Sequence, residues 1–248
     1  MAPLKDIYHR YFDVLRADSP QLLDQVYRLR YQVYCIENAF EPVADNPGER
    51  ETDRYDDRSL HSLLVHRPSG TFVGTVRLIL PDDDERRVDL PIRQVCADGL
   101  WTEISGLVPL QRTAEISRFA IAKEFRRRAE DRGSVVGGLT ESGDPRRVIP
   151  QISLGLMRAI VELAVSGSMT HLFAVMEPAL LRMLQRLGIH FENLGPIVDY
   201  HGHRQPCYCD LDRLLARTAQ ERPEVWEIIT NEGRLWPLAD AYLPVGVT

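Results

Sequence analysis

No apolar run in this chain approaches the roughly 18 residues that a membrane-spanning helix needs, so stable insertion in a membrane is not expected. Cysteine is scarce and irregularly placed: four in 248 residues, Cys35, Cys96, Cys207 and Cys209. That excludes a disulfide-stapled scaffold and fits a reduced, cytoplasmic setting. Positive charge is not in excess either. Thirty lysines and arginines stand against 36 aspartates and glutamates, a net charge of −6, which argues against a general nucleic-acid binder. The opening residues, 1–6, lack the basic-then-apolar order of a secretory signal. What remains is an ordinary globular composition, 44% hydrophobic and 27% charged, too apolar for wholesale disorder. A chain of this length can bury about 70–75% of its unfolded surface, enough for a core without staples.

Charge is uneven along the chain. Residues 121–150 hold seven basic side chains against five acidic ones, so a basic segment sits on an acidic protein and suits a small anionic partner, not a duplex. Ser19-Pro20 reads as an N-cap followed by proline at the first helical position. The helix is expected over 21–34, with Leu23, Val26, Tyr27, Arg30 and Tyr34 on one face. Residues 41–58 read as an acidic loop, 60–66 and 72–80 as two strands joined through Pro68-Ser69-Gly70, and 82–85 as an exposed acidic turn. A buried strand is expected at 115–122 and a mobile basic loop at 124–148. A helix at 152–165, a strand at 170–176, a helix at 178–187 and strands at 191–200 and 206–210 follow, then one amphipathic helix from 212 to 229. This order describes an α+β fold, helices flanking a central mixed, mostly antiparallel sheet. The domain is expected over 1–210, with 211–248 as a helical extension packed on it.

Several charges stand where apolar residues belong. Arg30 lies on the apolar stripe of its helix, where a guanidinium either snorkels to water or is buried in an ion pair. Glu51, Asp53, Asp56 and Asp57 form an acidic string, and Arg77 interrupts a strand. Glu115 and Arg118 are three apart in Glu-Ile-Ser-Arg-Phe, which puts them on opposite faces of a regular strand. They can cooperate only across a β-bulge, a feature common beside active sites. Otherwise either would pair with Arg30 or the acidic string. Together these positions suggest one buried network.

The spacing Arg30-x-x-x-Tyr34, Glu51-x-Asp53-x-x-Asp56, Gly74-x-x-Arg77-Leu78 and Glu115-x-x-Arg118-Phe119 resembles acyl-homoserine-lactone synthases of the LuxI type. Phe40 stands where that family usually has tryptophan, and the tail from Asp212 has no clear counterpart there. Over most of its length the chain looks closer to the acyltransferases of PEP-CTERM/exosortase systems, relatives that include long-chain N-acyl amino acid synthases. The resemblance implies the GNAT acyltransferase fold, an acyl-thioester co-substrate and an amine acceptor. It also implies a bulged fourth strand that offers backbone N–H groups to the donor. The usual pyrophosphate loop is absent after Ala122, where Arg126-Arg127-Arg128 stands instead. This favours an acyl-carrier protein over coenzyme A as donor, with the three arginines docking its acidic surface.

The resemblance thus assigns Glu115 and Arg118 to catalysis, Glu115 as base on the acceptor amine. Arg30, Tyr34, Phe40, Asp53, Asp56, Arg77, Ser117 and Phe119 become substrate-binding or network residues. The expected function is transfer of a long-chain acyl group from a carrier protein to an amino acid, with any membrane contact peripheral and through the lipid product. A homoserine-lactone synthase using S-adenosylmethionine is the nearest alternative, and a non-catalytic acyl-binding sensor is one of another class. No bound cofactor or metal is expected: His201-x-His203 and Cys207-x-Cys209 lack the usual Cys-x-x-Cys ligand spacing and read as a hairpin.

Overall fold

The computed structural model describes residues 4–82, 89–96, 98–106, 108–127 and 148–237, with only the backbone described for residues 98, 99, 126, 127, 148 and 149. In chain order the elements are α1 (Leu4–Tyr11), β1 (Phe12–Arg16), α2 (Pro20–Tyr31), a π-helical turn (Gln32–Glu37), β2 (Ser59–His66) and β3 (Thr71–Ile79). Next come α3 (Ile92–Val95), α4 (Asp98–Ser105), β4 (Thr113–Ile121), α5 (Lys123–Arg127), α6 (Val148–Ser166), β5 (His171–Met176) and α7 (Pro178–Arg186). β6 (Glu192–Asn193), β7 (Val198–Asp199), β8 (His203–Asp210), α8 (Leu211–Glu221) and α9 (Pro223–Ile229) complete the described chain. The result is the expected α+β fold, a mixed sheet flanked by helices.

Two compact units divide the chain. The first holds residues 1–77 and 118–163, the second 78–117 and 164–248. In the first, hydrogen-bonded neighbours run β1-β2-β3-β4. Ser19 caps α2 by accepting from the Leu22 N–H at 3.3 Å, with Pro20 in the first turn. The helix lays Leu22, Leu23, Val26, Tyr27 and Leu29 against Ala17, Leu63 and Phe72. β2 turns into β3 at Gly70, whose φ of 66° suits a residue without Cβ. Gly74 lets β4 approach, since a Cβ there would meet the Ala120 carbonyl oxygen at 2.8 Å. β1 pairs antiparallel with β2, Phe12 opposite His66 and Arg16 opposite Ser62.

In the second unit the order is β4-β5-β8-β6, with β7 beside β8. β4 and β5 run parallel, Glu115 opposite Phe173, while β5 and β8 run antiparallel. The ring of Trp101 of α4 lies against that of Phe173, tilted by 51° with centroids 5.7 Å apart. Asp210 caps α8 by accepting from the Arg213 N–H at 3.1 Å.

Local geometry departs from the expected boundaries at five places. The first helix stops being α-helical at Tyr31 and continues as the π-turn, beyond which the Tyr34 carbonyl accepts from the N–H groups of Phe40 and Glu41. The loop at 41–58 contains two 3-10 turns, 43–45 and 56–58. The start of the expected basic loop is helical, as α5; residues 128–147, including Arg128, lie outside the described residues, as does 83–88 of the acidic turn. The strand expected at 191–200 is reduced to the two-residue β6 and β7, whereas β8 starts at His203. The tail is two helices, because Pro223 has no N–H to continue α8 and Arg222 adopts φ −145° and ψ 71°. α1, β1, α3 and α4 add to the expected elements. Among the described residues no helix is long and apolar enough to cross a membrane.

Candidate active site

Three arginines from three elements converge in the first unit. Arg30, on the inner face of α2, is fully buried. Its Nε donates to Glu51 Oε2 at 2.5 Å and its Nη1 to Asp56 Oδ1 at 2.6 Å. Arg77, on β3, donates from Nη1 to Asp53 Oδ1 at 2.6 Å and to Asp56 Oδ1 at 2.8 Å, and from Nη2 to Asp53 Oδ2 at 2.9 Å. Arg118, on β4, donates from Nη2 to Glu51 Oε1 at 2.8 Å, to Glu41 Oε1 at 3.2 Å and to Asp53 Oδ2 at 3.3 Å. Each carboxylate of the core is therefore shared by two guanidiniums. Isolated, any of these charges would cost far more to bury than it returns; forked and shared, they satisfy one another.

Local backbone geometry aims the carboxylates. The Asp53 N–H donates to Asp56 Oδ2 at 2.7 Å and the Tyr55 N–H to Asp53 Oδ1 at 2.9 Å, which folds the acidic string onto itself. The Glu51 N–H donates to the Tyr27 carbonyl at 3.1 Å, tying the loop to α2. Arg118 has φ 51°, a left-handed conformation that costs a side-chain-bearing residue about 1–2 kcal/mol. β4 departs from regular strand geometry at this residue, and the ion pairs to Glu51 offset its strain.

The ring of Tyr34 covers the Arg118 guanidinium, 4.9 Å from centroid to Cζ, and Phe40 lies against Tyr34 at 6.2 Å. The cluster thus has aromatic cover, with Asp53 and Glu41, each a quarter exposed, at its solvent edge. Arg54 and Arg58 lie over Tyr55 beside the cluster, 4.7 and 5.4 Å from its ring centroid.

Burial alone would push Glu51 up, but the Arg30 and Arg118 guanidiniums outweigh it and hold its carboxyl down at about 2. Asp56 is held well below the carboxylate range in the same way, by Arg30 and Arg77. Glu51 is depressed in the folded chain, so its contribution to stability is complete above its ordinary value of 4.5 and is lost as pH falls towards about 2. Thermal melts should therefore show a midpoint that falls steeply below pH 4.5, with a shallower fall in Glu51→Gln. A variant falling as steeply as the parent would place the acid sensitivity elsewhere.

His61, on β2, was not singled out by the sequence. Burial and then Arg30 push its pKa down to about 4, so it is neutral, with Nε2 3.6 Å from Asp56 Oδ1. Glu41 was missed too, although it directly follows Phe40. Tyr27 and Tyr55 also belong here: Arg30 lies over the first at 5.4 Å and Arg77 over the second at 6.0 Å.

The structure brings together Arg30, Tyr34, Phe40, Asp53, Asp56, Arg77 and Arg118, with Glu51 as their hub. Ser117 and Phe119 flank Arg118 on β4, both partly exposed. Glu115 lies in the second unit, buried, where its Oε2 accepts from the Ile92 N–H at 2.8 Å at the start of α3. The Arg118 guanidinium is engaged by Glu41, Glu51 and Asp53. Arg126 and Arg127 lie on α5. All four cysteines are buried free thiols, and burial pushes the pKa of Cys207 and Cys209 up, against a nucleophilic role. Among the described residues no His, Cys, Asp and Glu group forms a metal-ligand set.

Residues 29–134 match the family described as acetyltransferase (GNAT) domain. A comparison with curated proteins gives no match. Among solved structures, TofI, in a ternary complex with an inhibitor and MTA, is 19% identical, covers 94% of this chain and 100% of its own, and superposes with a TM-score of 0.56. The AHL synthase LasI is 20% identical over 79% of this chain and 87% of its own, TM-score 0.54. FeeM, an N-acyl amino acid synthase from uncultured soil microbes, is 13% identical over 84% of this chain and 96% of its own, TM-score 0.52. At these identities the likeness is one of fold. The chain therefore has a GNAT-like α+β fold, and its residues 29–134 match an acetyltransferase (GNAT) domain.

Proposed function

We propose that this protein is an N-acyltransferase that moves a long-chain fatty acyl group from an acyl-carrier-protein thioester to the amine of an amino acid. The arginine–carboxylate cluster under Tyr34 and Phe40 carries the reading. Its two carboxylates at the solvent edge and its aromatic cover suit an acceptor that arrives as an ammonium ion. Arg77 and Arg118 outweigh burial and hold the Asp53 carboxyl below its ordinary range, so that its charge persists at neutral pH.

Acyl transfer then needs the ammonium to lose a proton. Glu115 takes it, directly or through water, the free amine attacks the thioester carbon, the C–S bond breaks and the thiol leaves as the amide forms. Backbone N–H groups at the break in β4 stabilise the developing oxyanion. Arg118, Arg30 and Arg77 position the acceptor through the carboxylates. A carrier-protein donor is supported by the end of β4: the Lys123 N–H, where a coenzyme phosphate would be cradled, already donates to both oxygens of the Glu37 carboxylate. The triple arginine 126–128 is proposed to dock the carrier. The long-chain product would draw an otherwise cytoplasmic protein to the membrane surface.

The same cluster would also receive the ammonium of S-adenosylmethionine, which makes a homoserine-lactone synthase the second reading. Mass spectrometry of products from purified protein, palmitoyl-carrier protein, mixed amino acids and S-adenosylmethionine separates the two. An N-acyl amino acid is expected and names the acceptor. An acyl lactone would move the protein to the second reading, and no product across several chain lengths would leave an acyl-binding sensor.

A further inference from the structure

A π-helical turn is a rare and costly conformation that persists where its surroundings hold it. Here it carries Tyr34, and two ties hold it. Within the turn, the Asn38 side chain donates to the Val33 carbonyl at 2.6 Å, next to Ala39 at φ 52°. Outward, the Glu37 carboxylate accepts the Lys123 N–H with both oxygens, at 3.1 and 2.9 Å. Lys123 opens α5 two residues beyond the end of β4, five residues after Arg118. Two short segments are thus joined twice: Tyr34 to Arg118 at one point and Glu37 to Lys123 at the other. The Phe40 N–H is bound to the Tyr34 carbonyl at 2.8 Å, so the second ring moves with the first.

We propose that Glu37 is a positioning residue, a brace that fastens the π-turn to the end of β4 and so sets the Tyr34 and Phe40 rings over the Arg118 guanidinium. It touches no reacting atom. Its effect reaches the chemistry through the aromatic cover of the cluster, and in that respect it rests on the acceptor reading above. Without the brace the Lys123 N–H loses a charged acceptor, the turn relaxes towards regular helix and the rings drift from the guanidinium. Acceptor binding should weaken more than donor binding or the chemical step.

Glu37→Ala removes the brace, whereas Glu37→Gln keeps a carbonyl oxygen for the Lys123 N–H. In Glu37→Ala, amide hydrogen exchange over 32–41 should quicken about tenfold. The NMR signal of the Arg118 Nε–H should lose its ring-current shift from Tyr34. The acceptor KM should rise about tenfold, with the donor KM within about twofold. Glu37→Gln should restore all three to near the parent values. Unchanged exchange and an unchanged Arg118 signal in Glu37→Ala would overturn the brace. So would equal losses in both variants, or a loosened turn with the acceptor KM unmoved. If the parent forms no acyl product, the acceptor reading fails, but exchange and the Arg118 signal still judge the brace.

Discussion

Glu115→Gln should lower acyl transfer by about 10²–10⁴-fold, the usual worth of a general base, while leaving the fold standing. Glu115 is buried, and its Oε2 accepts from the Ile92 N–H at 2.8 Å, so the carboxylate also helps to hold α3. Glutamine has the same shape and keeps a carbonyl oxygen for that N–H. It lacks the negative charge that takes a proton. The substitution therefore separates the scaffold role from the chemical one, and stability should stay within about 2 kcal/mol of the parent. Steady-state turnover and a thermal melt on the same sample decide it. A variant that unfolds makes Glu115 a scaffold residue. A folded variant with parental turnover puts the base elsewhere.

Arg30→Met should cost about 3–5 kcal/mol of folding stability, a large share of the about 5–15 kcal/mol that holds a typical domain. Methionine replaces most of the buried stem but not the fork. Glu51 and Asp56, held by Arg30 at 2.5 and 2.6 Å, would lose a partner in a site where water does not replace it. Arg30→Lys should fall between, since one ammonium cannot reach both carboxylates along the directions a guanidinium spans. Chemical denaturation of the two variants beside the parent measures this. A loss below about 1 kcal/mol for Arg30→Met would mean that the arginine acts as a surface group despite its position.

Much of the first unit was legible residue by residue. The Ser19-Pro20 cap and the stripe Leu23, Val26, Tyr27 are local signals, and so is the Pro68-Ser69-Gly70 turn between β2 and β3. β1 was not legible: five residues at the edge of a sheet become a strand by pairing with β2. The π-turn was invisible for a related reason. Gln32 to Glu37 reads as ordinary helix, and the contacts made by the turn, Glu37 to the Lys123 N–H and the Tyr34 carbonyl to Phe40 and Glu41, come from residues beyond it. Pro223 was in plain view, and the amphipathic pattern across 212–229 outweighed it, although a proline inside such a pattern can end one helix and begin the next.

The sequence by itself determined which charges this protein must deal with. It placed Arg30 on an apolar stripe and Arg77 within a strand, spaced Glu51, Asp53 and Asp56 as a string, and set Glu115 and Arg118 three apart. Only the tertiary structure decided the partners. Arg118 reaches Glu51 across 67 residues of chain, Glu41 joins the cluster, His61 stands neutral beside Asp56, and Glu115 turns to Ile92. The physical reason is that burial and pairing are properties of the space around a side chain. Spacing along a helix or strand says which face a charge lies on, whereas the depth of that face and the oppositely charged group waiting there depend on segments that folding brings in from elsewhere.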